Sequence, residues 1–222
     1  MRIGIIVGLS AEARIARRLG WPVAIGGGTE VGAQDAARHL IDAGAQALIS
    51  LGLAGGLDLT LRAGAILVPR AVITGDERFV TDATLARRLG GVTPHDILGA
   101  SAVAASVADK RRHHAQTGAS AIDLESGAVA HIAAARGVPF AVLRAVCDPA
   151  DRDLPPAALD ALDAHGAIAV WRVLRSLAGH PEQLPALIAL ARDAMAARAA
   201  LATRVRQIAP TSTPRPQSGR GR

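Results

Sequence analysis

The chain opens on an unbroken apolar run, Ile3-Gly4-Ile5-Ile6-Val7, that stops at Gly8 and passes into Ser10-Ala11-Glu12. Rich in β-branched residues, the run predicts a buried first strand, then a turn and a helix capped by Ser10 and reaching about Leu19. Gly26-Gly27-Gly28-Thr29 leads into a predicted helix from about Gly32 to Ala43, and Ala47 to Leu51 reads as a second apolar strand. That strand is expected to end in another glycine-rich loop, Gly52-Leu53-Ala54-Gly55-Gly56. Ala65 to Val72 reads as a strand. Residues 75–96, with mixed charge, Gly90-Gly91 and Pro94, read as an irregular excursion with a short helix.

Alternation then resumes. Strands are expected at Ile97 to Ala100, about Ala119 to Leu124, and Phe140 to Val146, with helices at Val107 to Gln116 and about Ala128 to Ala135. Such an order implies an α/β fold with a largely parallel sheet and helices on both faces. Pro155-Pro156 suits the first turn of a helix over about Ala157 to Leu177, and Pro185 to Ile208 is helical by spacing and alanine content. From Pro210 onward Pro, Ser, Thr, Gly and Arg dominate, so residues 210–222 are expected to be a disordered basic tail after a single domain over 1–209. No internal repeat is visible.

Composition narrows the function classes. At 222 residues and 50% hydrophobic content the chain can bury one sizeable core. Its formal charge of +6 comes from arginines scattered through alanine-rich helices and gathered in the tail, and two Trp with two Phe offer little for base stacking. A solvated basic surface is favoured over a nucleic-acid partner, and contact with anionic lipid is peripheral at most. Cys147 is the single cysteine, which excludes an internal disulfide and suits a cytoplasmic setting. The apolar N-terminal run is too short for a signal core or a membrane span.

The acidic residues carry the candidate chemistry. Asp123 and Glu125 end one apolar run just before a helix, and Asp148 ends the next, so both sets are expected at one sheet edge, where open α/β folds bind ligands. Glu125 could accept hydrogen bonds from two neighbouring hydroxyls, as a ribose diol requires, or simply compensate a helix N-terminus. Asp148 closes the most apolar strand, beside Pro149, where desolvation raises a carboxyl pKa and favours general-acid work. Arg144 lies within that strand and needs an anionic partner, for which Glu12 is the obvious candidate. Each glycine run alone is best read as a tight turn, since neither has the spacing of a phosphate-binding fingerprint. Adjacent His113 and His114 face different directions on a helix and do not suggest a metal pair, His131 reads as structural, and Cys147 as a small buried thiol.

Ile3-Gly4-Ile5-Ile6, Glu12, Gly26-Gly27-Gly28, Gly52-Leu53-Ala54-Gly55-Gly56-Leu57, Asp123-Leu124-Glu125 and Arg144-Ala145-Val146-Cys147-Asp148-Pro149-Ala150-Asp151 resemble, in that order, the nucleoside phosphorylase and nucleosidase superfamily. The short link from Glu12 to Gly26, the Cys-Asp-Pro-Ala-Asp run and the Ala-Arg pattern of Leu187 to Ala202 look most like its hopanoid-associated phosphorylases, thought to release adenine from adenosylhopane. The resemblance implies a phosphorylase/hydrolase-like three-layer fold with a central mixed, largely parallel sheet. It also implies that Asp148 protonates or hydrogen-bonds N7 of adenine, that Glu125 holds the ribose hydroxyls, and that Leu124 packs on the sugar. Glu12 and Arg144 would lie near the nucleophile, and Asp123, Gly26, Gly27, Gly28, Gly52, Ala54 and Gly55 would complete the substrate site.

The chain also departs from the family pattern. Where phosphorolytic relatives place an arginine and a serine beside the second glycine run, this chain has Ser50 and Leu53, and Glu12 would repel phosphate unless screened. Hydrolysis and phosphorolysis both stay open. Gly99-Ala100-Ser101-Ala102-Val103 lacks the phenylalanine with which nucleosidases stack the purine, which could widen the pocket for a bulky apolar substituent. The leading expectation is an enzyme that cleaves adenine from a nucleoside with an apolar 5′ substituent, as a homo-oligomer, with phosphate as a conceivable co-substrate and no metal or organic cofactor. The alternatives are action on methylthioadenosine, S-adenosylhomocysteine or another purine nucleoside, and a module that binds adenosine without cleaving it.

Overall fold

A computed structural model describes residues 1–159 and 179–209. The element order is β1 (Ile3–Val7), α1 (Ser10–Ala16), β2 (Val23–Ile25), α2 (Glu30–Asp42), β3 (Ala47–Gly56), β4 (Ile66–Leu67), β5 (Ala71–Thr74), β6 (Glu77–Val80), α3 (Ala83–Arg88), β7 (Ile97–Gly99), α4 (Val107–Thr117), β8 (Ala121–Asp123), α5 (Ser126–Ala135), β9 (Phe140–Asp148), α6 (Pro156–Leu159) and α7 (Leu184–Ile208). The nine strands form one mixed sheet in the order β2-β1-β3-β8-β7-β5-β6, with β9 beside β3 and β4 beside β9. The β1–β2, β1–β3, β3–β9, β5–β7 and β7–β8 pairs are parallel, while β8 meets the end of β3 antiparallel.

Apolar runs form the central strands because both of their faces are covered. Ile3, Ile5 and Val7 of β1, with Ala47, Ile49 and Leu51 of β3 and Ala141, Leu143 and Ala145 of β9, pack against α1, α3 and α7. The alternate positions Ile6, Leu48, Phe140, Val142 and Val146 pack against Ala33, Ala37 and Leu40 of α2 and Ala130 and Ala133 of α5. The small side chains of α2 and α5 let these helices lie close on the sheet, giving three layers.

Several expected boundaries move. The segment Gly52 to Gly56 is the second half of a ten-residue strand rather than a loop. Ala65 to Val72 is divided between β4 and β5, with Pro69 between them, because proline cannot donate to a ladder. The stretch expected to be irregular forms a β5–β6 hairpin before α3. The residue before α1 is Leu9 rather than Ser10, and the free amide of Leu9 is taken by Glu12 Oε2 at 2.9 Å. The helix expected over Ala157 to Leu177 begins as α6, and its remainder lies outside the described residues, as does the expected disordered tail. Among the described residues no helix is long and apolar enough to cross a membrane.

Candidate active site

The ends of β1, β3, β8 and β9 meet around a cavity of about 260 Å³ lined by Glu12, Asp123, Leu124, Glu125 and Asp148 together with Gly28, Ala54 and Gly55. Leu9, Leu53, Val103, Leu154 and Leu190 make much of the remaining wall apolar. All four carboxylates are nevertheless buried, at 4 to 8% exposure, so each is held by specific partners.

Glu12 reaches from the first turn of α1 to three backbone amides. Its Oε2 accepts from Gly8 at 3.0 Å and Leu9 at 2.9 Å, and its Oε1 accepts from Leu53 at 3.0 Å, tying β1 to β3 across the floor of the cavity. Arg144 is paired in β9 directly beside Gly52 of β3 and is 1% exposed. Its Nη2 donates to Ser50 Oγ at 2.7 Å and Glu125 Oε2 at 2.8 Å, while Nε lies 2.5 Å from Asp123 Oδ2 in a charge contact without hydrogen-bond alignment. The expected Glu12 partner is therefore replaced by Asp123, Glu125 and Ser50. Glu12 remains close enough to raise the pKa of the guanidinium, after the larger effects of burial, which opposes the charge, and of Asp123 and Glu125, which favour it.

Asp123 and Glu125 divide the work at the start of α5. Asp123 Oδ1 accepts from the amide of Ser126 at 3.0 Å and from its hydroxyl at 2.6 Å, so Asp123 supplies the capping that Glu125 does not. Glu125 instead turns toward Arg144, and burial, reinforced by Asp123 and Glu12, raises its pKa to about 7 against the opposing pull of Arg144.

Asp148 ends β9 at an irregularity. Ala54 pairs with Val146 and Gly55 with Asp148, leaving Cys147 as the extra residue of a bulge that re-aims the strand end. Burial raises the Asp148 pKa, and Lys110, with Nζ 2.7 Å from Oδ2, opposes that rise. The Cys147 thiol, pushed up to about 12 by burial and then by Asp148, is protonated and unreactive near neutrality.

Among the glycines named from sequence, Gly28 and Gly55 line the cavity, but Gly26 and Gly27 do not. Gly27 and Gly28, each at φ 71°, make the turn before α2, where Thr29 caps the helix through Gly32. Gly52 faces the buried side chains behind the cavity: a Cβ there would collide with Arg144 Nη1 and stand 2.9 Å from Glu12 Oε1. Sequence reasoning did not identify Lys110 or Leu190 as neighbours of Asp148, because α4 and α7 are brought there only by tertiary packing.

Residues 84–177 match the family model of the phosphorylase superfamily. The fold agrees over a longer span with that of nucleoside phosphorylases and hydrolases. Superposition on the 5′-methylthioadenosine/S-adenosylhomocysteine nucleosidase of Helicobacter pylori covers 94% of this chain and 97% of that one at 16% identity and a TM-score of 0.69. The futalosine hydrolase of the same organism covers 93% and 98% at 18% identity and a TM-score of 0.66. The methylthioadenosine/S-adenosylhomocysteine nucleosidase of Colwellia psychrerythraea, solved with adenine, covers 67% and 83% at 19% identity and a TM-score of 0.61. No curated protein sequence matches the chain. The superfamily model matches less than half of the chain, and the superpositions show that the chain shares the fold of these proteins.

Proposed function

We propose that the chain hydrolyses the N-glycosidic bond of an adenine nucleoside carrying an apolar 5′ substituent, with adenosylhopane as the substrate class member to test first. The observation that carries the reading is the enclosure of Asp148, Glu125 and Glu12 in one largely apolar cavity. Cleavage of a purine nucleoside requires a proton or hydrogen bond at N7, a hold on the ribose, and a nucleophile at the anomeric carbon. Asp148, raised by burial, gives its proton to N7. The electron pair of the breaking C1′–N9 bond passes into the purine, which leaves neutral, while the ribose approaches an oxocarbenium ion. Glu125 accepts from the ribose hydroxyls, and Leu124 packs on the sugar. A water oxygen bonds to C1′ and its proton goes to Glu12, giving adenine and a 5′-substituted ribose. Glu12 lines the cavity and is held by the amides of Gly8, Leu9 and Leu53, which supports placing the nucleophile beside it.

Water is favoured over phosphate by the charge around the cavity. Among the described residues, every ionisable side chain on its wall other than the thiol of Cys147 is a carboxylate, and Arg144 and Lys110 lie behind the wall. A phosphate dianion would meet four acidic groups at low dielectric. The apolar substituent is supported by Leu9, Leu53, Val103, Leu154 and Leu190. The relatives support adenine as the leaving base: one is solved with adenine and another with a 4-amino-pyrrolopyrimidine compound.

The test is incubation with adenosylhopane in detergent and, separately, with methylthioadenosine, each with and without phosphate, followed by mass spectrometry of base and sugar. Phosphate-independent release of adenine with free ribosylhopane is expected. A ribosyl 1-phosphate formed only with phosphate would replace hydrolysis by phosphorolysis, and turnover of methylthioadenosine alone would remove the large substituent. Adenosine binding without release of adenine would make the chain a binding module.

A further inference from the structure

Lys110 is the only lysine in the chain: the other 24 of its 25 basic side chains of the Lys and Arg type are arginines. It is also the only buried residue of α4, at 0% exposure, in a helix that otherwise presents half-exposed and exposed positions. Its ammonium donates to the Pro149 carbonyl at 2.9 Å and the Arg152 carbonyl at 2.7 Å, and forms an ion pair with Asp148 Oδ2 at 2.7 Å. Three oxygens thus surround the ammonium inside the protein. Burying an ammonium costs several kcal/mol unless it is paired in this way. A compact ammonium fits three converging oxygens, whereas a planar guanidinium with five donors does not.

Other charges face Asp148 but are less committed to it. Arg152, on the loop after β9, is paired with Asp193 of α7, and both exert weaker effects on Asp148 than Lys110 does. Cys147, the neighbour in β9, is protonated. Lys110 thus holds one oxygen of Asp148, and Oδ1 makes no hydrogen bond within the described residues.

We propose that Lys110 is a positioning residue for the leaving-group acid: it fixes Oδ2 of Asp148, leaves the other oxygen for the base, and stabilises the carboxylate that remains after proton transfer. This inference rests on the functional reading above. In the step itself the proton on the Asp148 carboxyl moves to N7 of the purine as the C1′–N9 bond breaks. Lys110 keeps its three protons throughout, and Asp148 regains its proton from solvent once adenine has left. Burial raises the pKa of the acid, while the ammonium opposes that rise and holds the anion left by proton transfer in place.

The experiment compares wild type, Lys110→Met, Asp148→Asn and the double variant across pH, following adenine release from methylthioadenosine or from adenosylhopane. Lys110→Met is expected to lower kcat about 100-fold with little change in KM. It should also move the alkaline limb of the profile upward by about one pH unit, because loss of the ammonium raises the pKa of the acid. In the double variant both charges are gone, so it is the safer one to fold, and it should be no slower than Asp148→Asn alone. Lys110→Arg is expected to rescue poorly. A uniform fall in activity with no movement of the limb, or a double variant much slower than Asp148→Asn, would overturn the role of Lys110 while leaving the functional reading intact. No adenine release by the wild-type protein from any adenine nucleoside would overturn both.

Discussion

Gly52 stands beside Arg144 in the parallel register of β3 and β9, and the guanidinium occupies the space that a side chain at Gly52 would need. The guanidinium cannot move aside freely, because Ser50, Glu125 and Asp123 hold it. Gly52→Ala is therefore expected to displace Arg144 or Glu12, destabilise the protein by about 1–3 kcal/mol, and lower kcat strongly. Chemical denaturation and initial rates on the same preparation check both effects.

Arg144 also neutralises two buried acids. Replacing it with methionine leaves Asp123 and Glu125 buried beside each other without their cation, a change expected to cost about 3–5 kcal/mol. Urea unfolding at neutral pH measures the loss. The triple replacement Arg144→Met, Asp123→Asn, Glu125→Gln should recover part of that stability without recovering activity.

The raised pKa of Glu125 has a defined signature in stability. Between its ordinary value of 4.5 and the folded value of about 7, the folded chain holds a proton that the unfolded chain has lost. The contribution of this group is complete below the lower value and is lost as pH rises through the upper one. Unfolding free energies measured across this window should fall with rising pH, and Glu125→Gln should flatten the slope.

Val103 is 41% exposed yet lines the cavity that carries the acids. If a long apolar substituent leaves the cavity past this residue, Val103→Asp is expected to reduce kcat/KM for that substrate about tenfold, equivalent to about 1.4 kcal/mol, and to spare methylthioadenosine. A series of 5′-alkylthioadenosines of increasing length measures the difference.

The central strands were legible because burial on both faces leaves a plain apolar signature: Ile3 to Val7 and Phe140 to Val146 lie in β1 and β9. β2 was missed because Val23 to Ile25 is three residues long and only partly buried. The glycines of β3 read as a loop for a sound local reason, since glycine is the usual turn residue. At Gly52 the glycine instead admits a guanidinium within a strand, a demand made by a residue 92 positions away, as their numbers show. The acidic residues could be selected from their places at strand ends, but their pairing could not, and Arg144 chose Asp123 and Glu125 over Glu12. Lys110 was hidden in a charged run that reads as a solvated helix face. Its one visible signal was its being a lone lysine among arginines.

Release of adenine by wild type and by Asp148→Asn, assayed side by side without phosphate on an adenine nucleoside with an apolar 5′ substituent, tests the central claim most directly. Adenine is expected from the wild type, with a rate at least about 100-fold lower in the variant and nucleoside binding retained. Equal rates in the two proteins, or binding with no adenine from either, would contradict the assignment of Asp148 as the leaving-group acid of a hydrolase.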